Sequence, residues 1–212
     1  MNVCEIFHSI QGESTYSGLP CVFIRTSGCN LRCSYCDTKY AYEIGTDMDI
    51  NSIISVVRSF NCELVEITGG EPLMQYHEVN RLIDMLFKCK YEILLETNGS
   101  ISIKDIEPKV IKIIDLKCPD SGMSDHIYWD NLKYLTDRDQ IKFVLNSRND
   151  YDWMKSILKE YKSQIRSEIL ISTVFGSLEP SKAVKWILED KLKVRFQLQI
   201  HKYIWDPNQR GV

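Results

Sequence analysis

At 212 residues, with 44% hydrophobic and 26% charged side chains, the chain can bury a substantial core but is short for two full domains, so one domain over residues 1–212 is expected. No apolar run approaches the roughly 20 residues of a membrane span, and the start, Met1-Asn2-Val3-Cys4-Glu5, lacks a basic segment followed by an apolar stretch, which points to a cytoplasmic protein with no membrane partner. A formal net charge of −3 with dispersed Lys and Arg argues against nucleic acid and for a small-molecule substrate.

In chain order, a first apolar segment ends at Gln11-Gly12-Glu13. Cys21-Val22-Phe23-Ile24-Arg25-Thr26 predicts a strand that runs into Gly28-Cys29-Asn30. Ile53, Ile54, Val57 and Phe60 recur at helical spacing. Leu64 to Ile67 is strand-like and leads into Thr68-Gly69-Gly70-Glu71-Pro72, followed by a helical pattern at Val79, Leu82, Ile83 and Leu86. Glu92 to Leu95 leads into Glu96-Thr97-Asn98-Gly99, and Val110 to Leu116 closes on Asp115-Leu116-Lys117-Cys118-Pro119. Strand Ile141 to Leu145, a helix through Trp153, Met154, Ile157, Leu158 and Tyr161, strand Ile169 to Val174 and a helix through Ala183, Val184, Ile187 and Leu188 follow. The last strand is expected from Val194 to about Tyr203.

Strand and helix alternate, so the fold class is α/β with a mostly parallel sheet, wound by right-handed crossovers into an open sheet or a full or partial barrel. In such folds chemistry gathers at the carboxyl ends of the strands. Acids, amides and glycines stand at nearly every predicted strand end, more than plain turns require, and we read those ends as one mouth.

Eight cysteines in a chain of this size suggest free thiols or metal ligands more than a disulfide framework. Cys4, Cys21, Cys62, Cys89 and Cys118 are scattered among apolar neighbours and are expected in the core. Cys29, Cys33 and Cys36 form a Cys-x3-Cys-x2-Cys run just after a predicted strand. Structural zinc requires four closed ligands, and no second pair accompanies this run. Three thiolates on a 4Fe–4S cluster would leave one iron without a protein ligand. Such an iron can chelate the amino and carboxylate groups of S-adenosylmethionine, so that an electron reaching the sulfonium releases a 5′-deoxyadenosyl radical.

A strand followed by Cys-x3-Cys-x2-Cys resembles the defining motif of the radical S-adenosylmethionine superfamily, and Gly69-Gly70-Glu71-Pro72 is similar to its Gly-Gly-Glu-Pro motif. The resemblance implies a partial (β/α) barrel with Tyr35 at adenine and Gly70, Glu71, Glu96 and Lys117 toward the cofactor. Within the superfamily, Phe7-His8-Ser9-Ile10-Gln11-Gly12-Glu13-Ser14 resembles the opening of the 7-carboxy-7-deazaguanine synthase family, with Ser14 where that family commonly has glycine. Cys36-Asp37-Thr38 and the close Gln199-Ile200-His201-Lys202 with Arg210-Gly211-Val212 extend the likeness, as does the short, pruned barrel.

This second resemblance implies 6-carboxy-5,6,7,8-tetrahydropterin as substrate, contracted to 7-carboxy-7-deazaguanine with loss of ammonia, in queuosine or another 7-deazapurine pathway. Ile10, Gln11, Gly12, Arg25 and Thr68 would line the substrate site, and Glu13 and His201 would handle protons or recognise the pterin. Thr38 would bind Mg2+, an ion suited to a hard oxygen ligand. An electron donor such as flavodoxin or ferredoxin and a homodimer are expected partners.

Blander readings stand beside these. Gln11-Gly12-Glu13 could be a turn, Thr38 a helix cap and His201 a satisfied strand histidine. Arg25, a charge in an apolar strand, could anchor a salt bridge, although its planar fork suits a substrate carboxylate. A glycyl-radical activating enzyme shares the cluster but not the Ile-Gln-Gly-Glu opening, and a zinc or iron–sulfur binding module is the nonenzymatic alternative. The cluster assignment predicts that substituting any one of Cys29, Cys33 or Cys36 abolishes the four-iron absorbance and S-adenosylmethionine cleavage, while Cys62→Ala preserves both. A loop cysteine dispensable for cluster assembly would refute the ligand set.

Overall fold

The computed structural model describes residues 1–43 and 45–212. Its elements are β1 (Asn2–Ile10), β2 (Pro20–Thr26), β3 (Thr46–Asp47), α1 (Ile50–Ser59), β4 (Leu64–Gly69), α2 (Tyr76–Lys88), β5 (Glu92–Thr97) and β6 (Ile111–Asp115). They continue with β7 (Gln140–Leu145), α3 (Arg148–Glu160), β8 (Glu168–Thr173), α4 (Pro180–Glu189), β9 (Arg195–Phe196) and α5 (His201–Ile204). Among the described residues, nine strands form one sheet in the order β3-β1-β2-β4-β5-β6-β7-β8-β9. Strands β2 and β4 to β9 run parallel to one another, while β1 runs antiparallel to both β2 and β3. The sheet does not close into a full barrel, and β3 and β9 are its two edges.

Local chemistry sets the helices. Asp49 caps α1 by accepting from the Ser52 N–H at 3.0 Å, and α1 buries Ile53, Ile54 and Val57 at the spacing of one helical face. In α2 the same stripe is Val79, Leu82, Ile83 and Leu86. The β5–β6 and β6–β7 crossovers lack an α-helix, and the second is made of three short 3-10 turns. Asn131 braces this region, accepting from the Ile103 N–H at 2.9 Å and donating to the carbonyls of Gly99 and Ile101. A buried amide thus satisfies backbone groups that a crossover helix would have paired.

Side-chain alternation divides the sheet into two faces. Val22, Ile24, Val65, Ile67, Ile93, Leu95, Ile141 and Phe143 pack in the large core on the helix side. Phe7, Phe23, Leu64, Leu94, Ile111 and Ile113 form a smaller apolar plug on the opposite, concave face. Above the plug, the next inward positions toward the strands' carboxyl ends are Arg25, Glu66, Thr68, Glu96, Asp115 and Lys142, and all six line one cavity.

Two expectations are corrected. The last strand ends after two residues: Gln197 donates its N–H to the Ile171 carbonyl at 2.9 Å, and Ile200 donates to Gly12 at 3.0 Å. The chain therefore leaves the sheet to cross the mouth, and His201 opens a short helix. Of the five scattered cysteines, Cys21 and Cys118 are fully buried, whereas Cys4, Cys62 and Cys89 are only partly covered; all eight cysteines are free thiols.

Candidate active site

The cavity, about 590 Å³, opens at the carboxyl ends of β2 and β4 to β7 and is covered on one side by the chain from Gln199 to Val212. One wall is the cysteine loop, which follows β2 and carries Cys29, Cys33 and Cys36 to the same space. Its root is fixed by close backbone approach. Gly70 donates to the Thr26 carbonyl at 3.2 Å and Glu71 to the Gly28 carbonyl at 2.8 Å. A Cβ on Gly70 would collide with the Gly28 carbonyl, and one on Gly69, at φ +154°, with Thr26. Farther along, Ser34 bonds to Ser121 through its N–H and to Asp120 through its hydroxyl, and the Tyr35 hydroxyl reaches the Val144 carbonyl at 3.3 Å. Arg32 donates to the carbonyls of Cys29 and Leu31 and lies over the Tyr42 ring at 4.3 Å.

Among the described residues, no three His, Cys, Asp or Glu side chains converge on a point that a single metal ion could occupy. The three loop thiols line one cavity, where each could hold a separate iron of a cluster. Burial pushes the Cys29 and Cys33 thiols up, and the Lys117 ammonium acts against that rise.

The opposite wall and floor hold a buried ionic network. Lys142 pairs with Glu13 at 2.8 Å, with Glu96, and with Asp115 at 3.5 Å, and Lys117 pairs with Asp115 at 2.7 Å. Burial alone would lower the Lys142 ammonium, but the carboxylates of Glu13, Glu96 and Asp115 outweigh it and hold the lysine well above its ordinary value. Burial likewise opposes ionisation of Glu13 and Asp115, yet the neighbouring ammonium groups keep both below the usual carboxylate range. Gln199 donates to Glu13 at 2.6 Å, and burial lowers the adjacent His201 imidazole.

Residues 23–185 match the radical SAM superfamily. A 7-carboxy-7-deazaguanine synthase from Chlorobaculum tepidum is 43% identical over 100% of this chain and 97% of that protein. One from Clostridium acetobutylicum is 40% identical over 99% and 98%. The chain belongs to the 7-carboxy-7-deazaguanine synthase family of radical SAM enzymes. The crystal structure of QueE from Escherichia coli shares the fold, with a TM-score of 0.78, 20% identity and coverage of 93% of this chain and 92% of that one. Family membership brings dependence on a 4Fe–4S cluster and S-adenosylmethionine, and the three loop thiols fit the cluster.

Most residues singled out in the sequence line this cavity: Ile10, Gln11, Gly12, Glu13, Arg25, Cys29, Cys33, Tyr35, Cys36, Thr38, Thr68, Gly70, Glu96, Lys117 and His201. Gly12 is required where it stands, since a Cβ there would overlap the His201 imidazole. Thr38 precedes a 3-10 turn without capping it, and its hydroxyl donates to Asp37 at 3.0 Å. Arg25 makes the salt bridge that its position in an apolar strand suggested, Nε to Glu5 at 2.8 Å. Among the described residues its two Nη atoms have no hydrogen-bond partner, and the side chain still lines the cavity.

Two of the acids have partners that the sequence did not show. Glu71 is fully buried outside the cavity wall, accepting from the Leu73 N–H at 2.9 Å, the Thr97 hydroxyl at 2.8 Å and the Asn98 N–H at 2.7 Å. It acts as a brace between the ends of β4 and β5, because the Gly69-Gly70 turn sends its side chain down between them. Glu96 lines the cavity and is tied to the same lysine as Glu13.

Sequence reasoning missed Lys142 and Glu66, and it passed over Asp37, which pairs with Lys202 across the mouth. The signal was available: a charge inside an apolar strand singled out Arg25, and Glu66 in Leu64-Val65-Glu66-Ile67 and Lys142 in Ile141-Lys142-Phe143 are the same pattern. The lowered carboxylates stabilise the fold above their ordinary titration range and lose that contribution as pH falls through their lowered values; raised Lys142 contributes until pH climbs through its own. Lys142→Met should therefore lose roughly 3–5 kcal/mol at neutral pH, because it strands buried carboxylates. Urea unfolding of the variant should show stability rising from pH 7 to pH 5 as those acids take up protons, a trend absent from the parent.

Proposed function

We propose that the chain is a 7-carboxy-7-deazaguanine synthase that contracts 6-carboxy-5,6,7,8-tetrahydropterin to 7-carboxy-7-deazaguanine with release of ammonia. The observation that carries this reading is one cavity bounded by the three loop cysteines on one side and by Gln11-Gly12-Glu13, Arg25 and the Lys142 network on the other. When bound, the cluster and S-adenosylmethionine supply a 5′-deoxyadenosyl radical capable of taking hydrogen from the substrate carbon that bears the carboxylate.

The protein's own residues bind and orient. Cys29, Cys33 and Cys36 would hold three irons, while Tyr35, tethered to β7 through its hydroxyl, would present its ring to adenine. Gly70, Glu96 and Lys117 would frame the cofactor, and Glu71 would act through the β4–β5 brace. The Arg25 guanidinium, held at Nε by Glu5, has its outer nitrogens available to grip the substrate carboxylate. Ile10, Gln11, Gly12 and Thr68 would shape the pterin pocket. Glu13, kept ionised by Lys142, would accept ring N–H groups, and neutral His201 can take or give a proton at the mouth.

Thr38 would contribute an oxygen to Mg2+, which would steady the substrate carboxylate as a Lewis acid. A small electron-transfer protein, flavodoxin or ferredoxin, would be the reductant. The enzyme would work in the cytoplasm as a homodimer of single-domain chains.

Anaerobic turnover of the carboxytetrahydropterin with S-adenosylmethionine, Mg2+ and a reductant, read by product mass, tests the activity directly. Thr38→Ala should cut turnover by about 10-fold or more and abolish stimulation by Mg2+. Cluster absorbance and uncoupled S-adenosylmethionine cleavage should stay intact. Full Mg2+ stimulation in that variant would remove Thr38 from the metal shell.

A further inference from the structure

Glu66 lies in the middle of β4 and lines the cavity although only 2% of its surface is exposed. Gln11 Nε2 donates to Glu66 Oε2. The direction of that amide is set independently, because Gln11 Oε1 accepts the Glu13 N–H at 2.9 Å. Among the described residues Glu66 Oε1 has no hydrogen-bond partner, and it is not one of the polar atoms sealed away without one. One oxygen of this carboxyl group is thus taken by Gln11, and the other is open to the cavity.

Among the described residues no salt bridge is made by Glu66, and the nearby cations are engaged with other carboxylates. Arg25 is paired with Glu5, and Lys142 with Glu13, Glu96 and Asp115. Burial and the neighbouring Glu96 carboxylate raise the Glu66 carboxyl well above its ordinary value despite Lys142 and Arg25, a shift toward the protonated form. A neutral carboxyl that accepts through Oε2 carries its hydrogen on Oε1 and points a donor into the cavity.

We propose that Glu66 is a specificity-determining residue of the substrate site, donating a hydrogen bond from its open oxygen to the ring carbonyl of a 6-carboxypterin. The inference rests on the pterin reading above. Arg25 is in register with Thr68, and Glu66 is one pleat deeper than Thr68 on the strand beside Arg25, about 4.8 Å across. With the carboxylate on Arg25 and the bicycle laid across β4, the carbonyl at position 4, which shares the N5 edge with the carboxylate, would come within reach of Glu66. The ionised Glu13 accepts only, which suits ring N–H groups and leaves the carbonyl in need of a donor.

The test is a fluorescence titration of anaerobic holoenzyme, with S-adenosylmethionine present, by two stable ligands. These are 6-carboxypterin and 2,4-diaminopteridine-6-carboxylate, which carries an amino group in place of the carbonyl. Glu66→Leu should weaken 6-carboxypterin about 10-fold or more and the diamino compound less than about 3-fold, because only the first loses a hydrogen bond. Glu66→Gln, which keeps an acceptor for Gln11 and an N–H donor, should bind 6-carboxypterin within about 3-fold of the parent. Equal weakening of both ligands by Glu66→Leu would assign Glu66 a purely structural role through Gln11 and overturn the proposal. So would loss of binding in a folded, cluster-replete Glu66→Gln enzyme, since that outcome requires an ionised carboxylate. Should Glu66→Leu fail to fold, the glutamine variant decides alone. A parent enzyme that binds neither ligand would bring down the pterin reading itself, whereas parent binding unchanged in both variants would bring down only the role of Glu66.

Discussion

The ammonium group of Lys142, on the fifth strand of the parallel series that starts at β2, meets Glu13 from the loop after β1, Glu96 from the end of β5 and Asp115 from the end of β6. The concave face of the sheet is dry at its base, where Phe7 and Phe23 stack at 4.9 Å, and polar only in its upper tier. Carboxylates are tolerated in that tier because a counter-charge sits among them, since an unpaired buried charge would be neutralised or expelled. The same ammonium makes neighbouring carboxyl groups unequal. The carboxyls of Glu13 and Asp115, close to it, are held below their ordinary values, while burial and Glu96 push that of Glu66 up. A set of chemically similar acids is thereby pushed in opposite directions within one cavity.

Close backbone approach makes the convergence possible. Glycines at 69 and 70 let the end of β4 lie against the base of the cysteine loop, and Gly12 leaves room for the His201 imidazole. The loop that would carry the cluster is thus registered against the strand end that would carry the cofactor. The segment bearing Gln11 and Glu13 is registered against the carboxyl-terminal crossing. Alanine at any of these positions would separate two walls of one cavity, a cost that appears in site geometry more than in core packing.

The two halves of the cavity are joined at the mouth. Asp37, next to the last loop cysteine, is paired with Lys202, the neighbour of His201 in α5, and Arg210 lies over the Tyr40 ring at 4.0 Å. The carboxyl-terminal crossing is therefore fastened to the cysteine loop and, through the Ile200 N–H, to Gly12. Neither fastening depends on the apolar core.

The sequence by itself determined the parallel α/β architecture, because apolar period and strand-end punctuation are local properties, and it singled out the cysteine loop, whose ligands lie within eight residues of one another. It also marked Gln11, Gly12, Glu13 and Arg25, which stand in one short stretch near the start. Only the tertiary structure decided which charges meet. Lys142 and Glu13 are 129 positions apart and Gln199 and Glu13 are 186 apart, so no spacing rule connects them. It also turned the expected last strand into a crossing, because His201 has a partner in Gly12 that becomes visible only once β1 and the carboxyl terminus share one mouth. The motif around Glu71 did not show what its side chain does: three donors from its own turn and from the end of β5 surround it. Motifs report which residues a site contains, whereas the protonation and pairing of those residues depend on neighbours that folding brings from far along the chain.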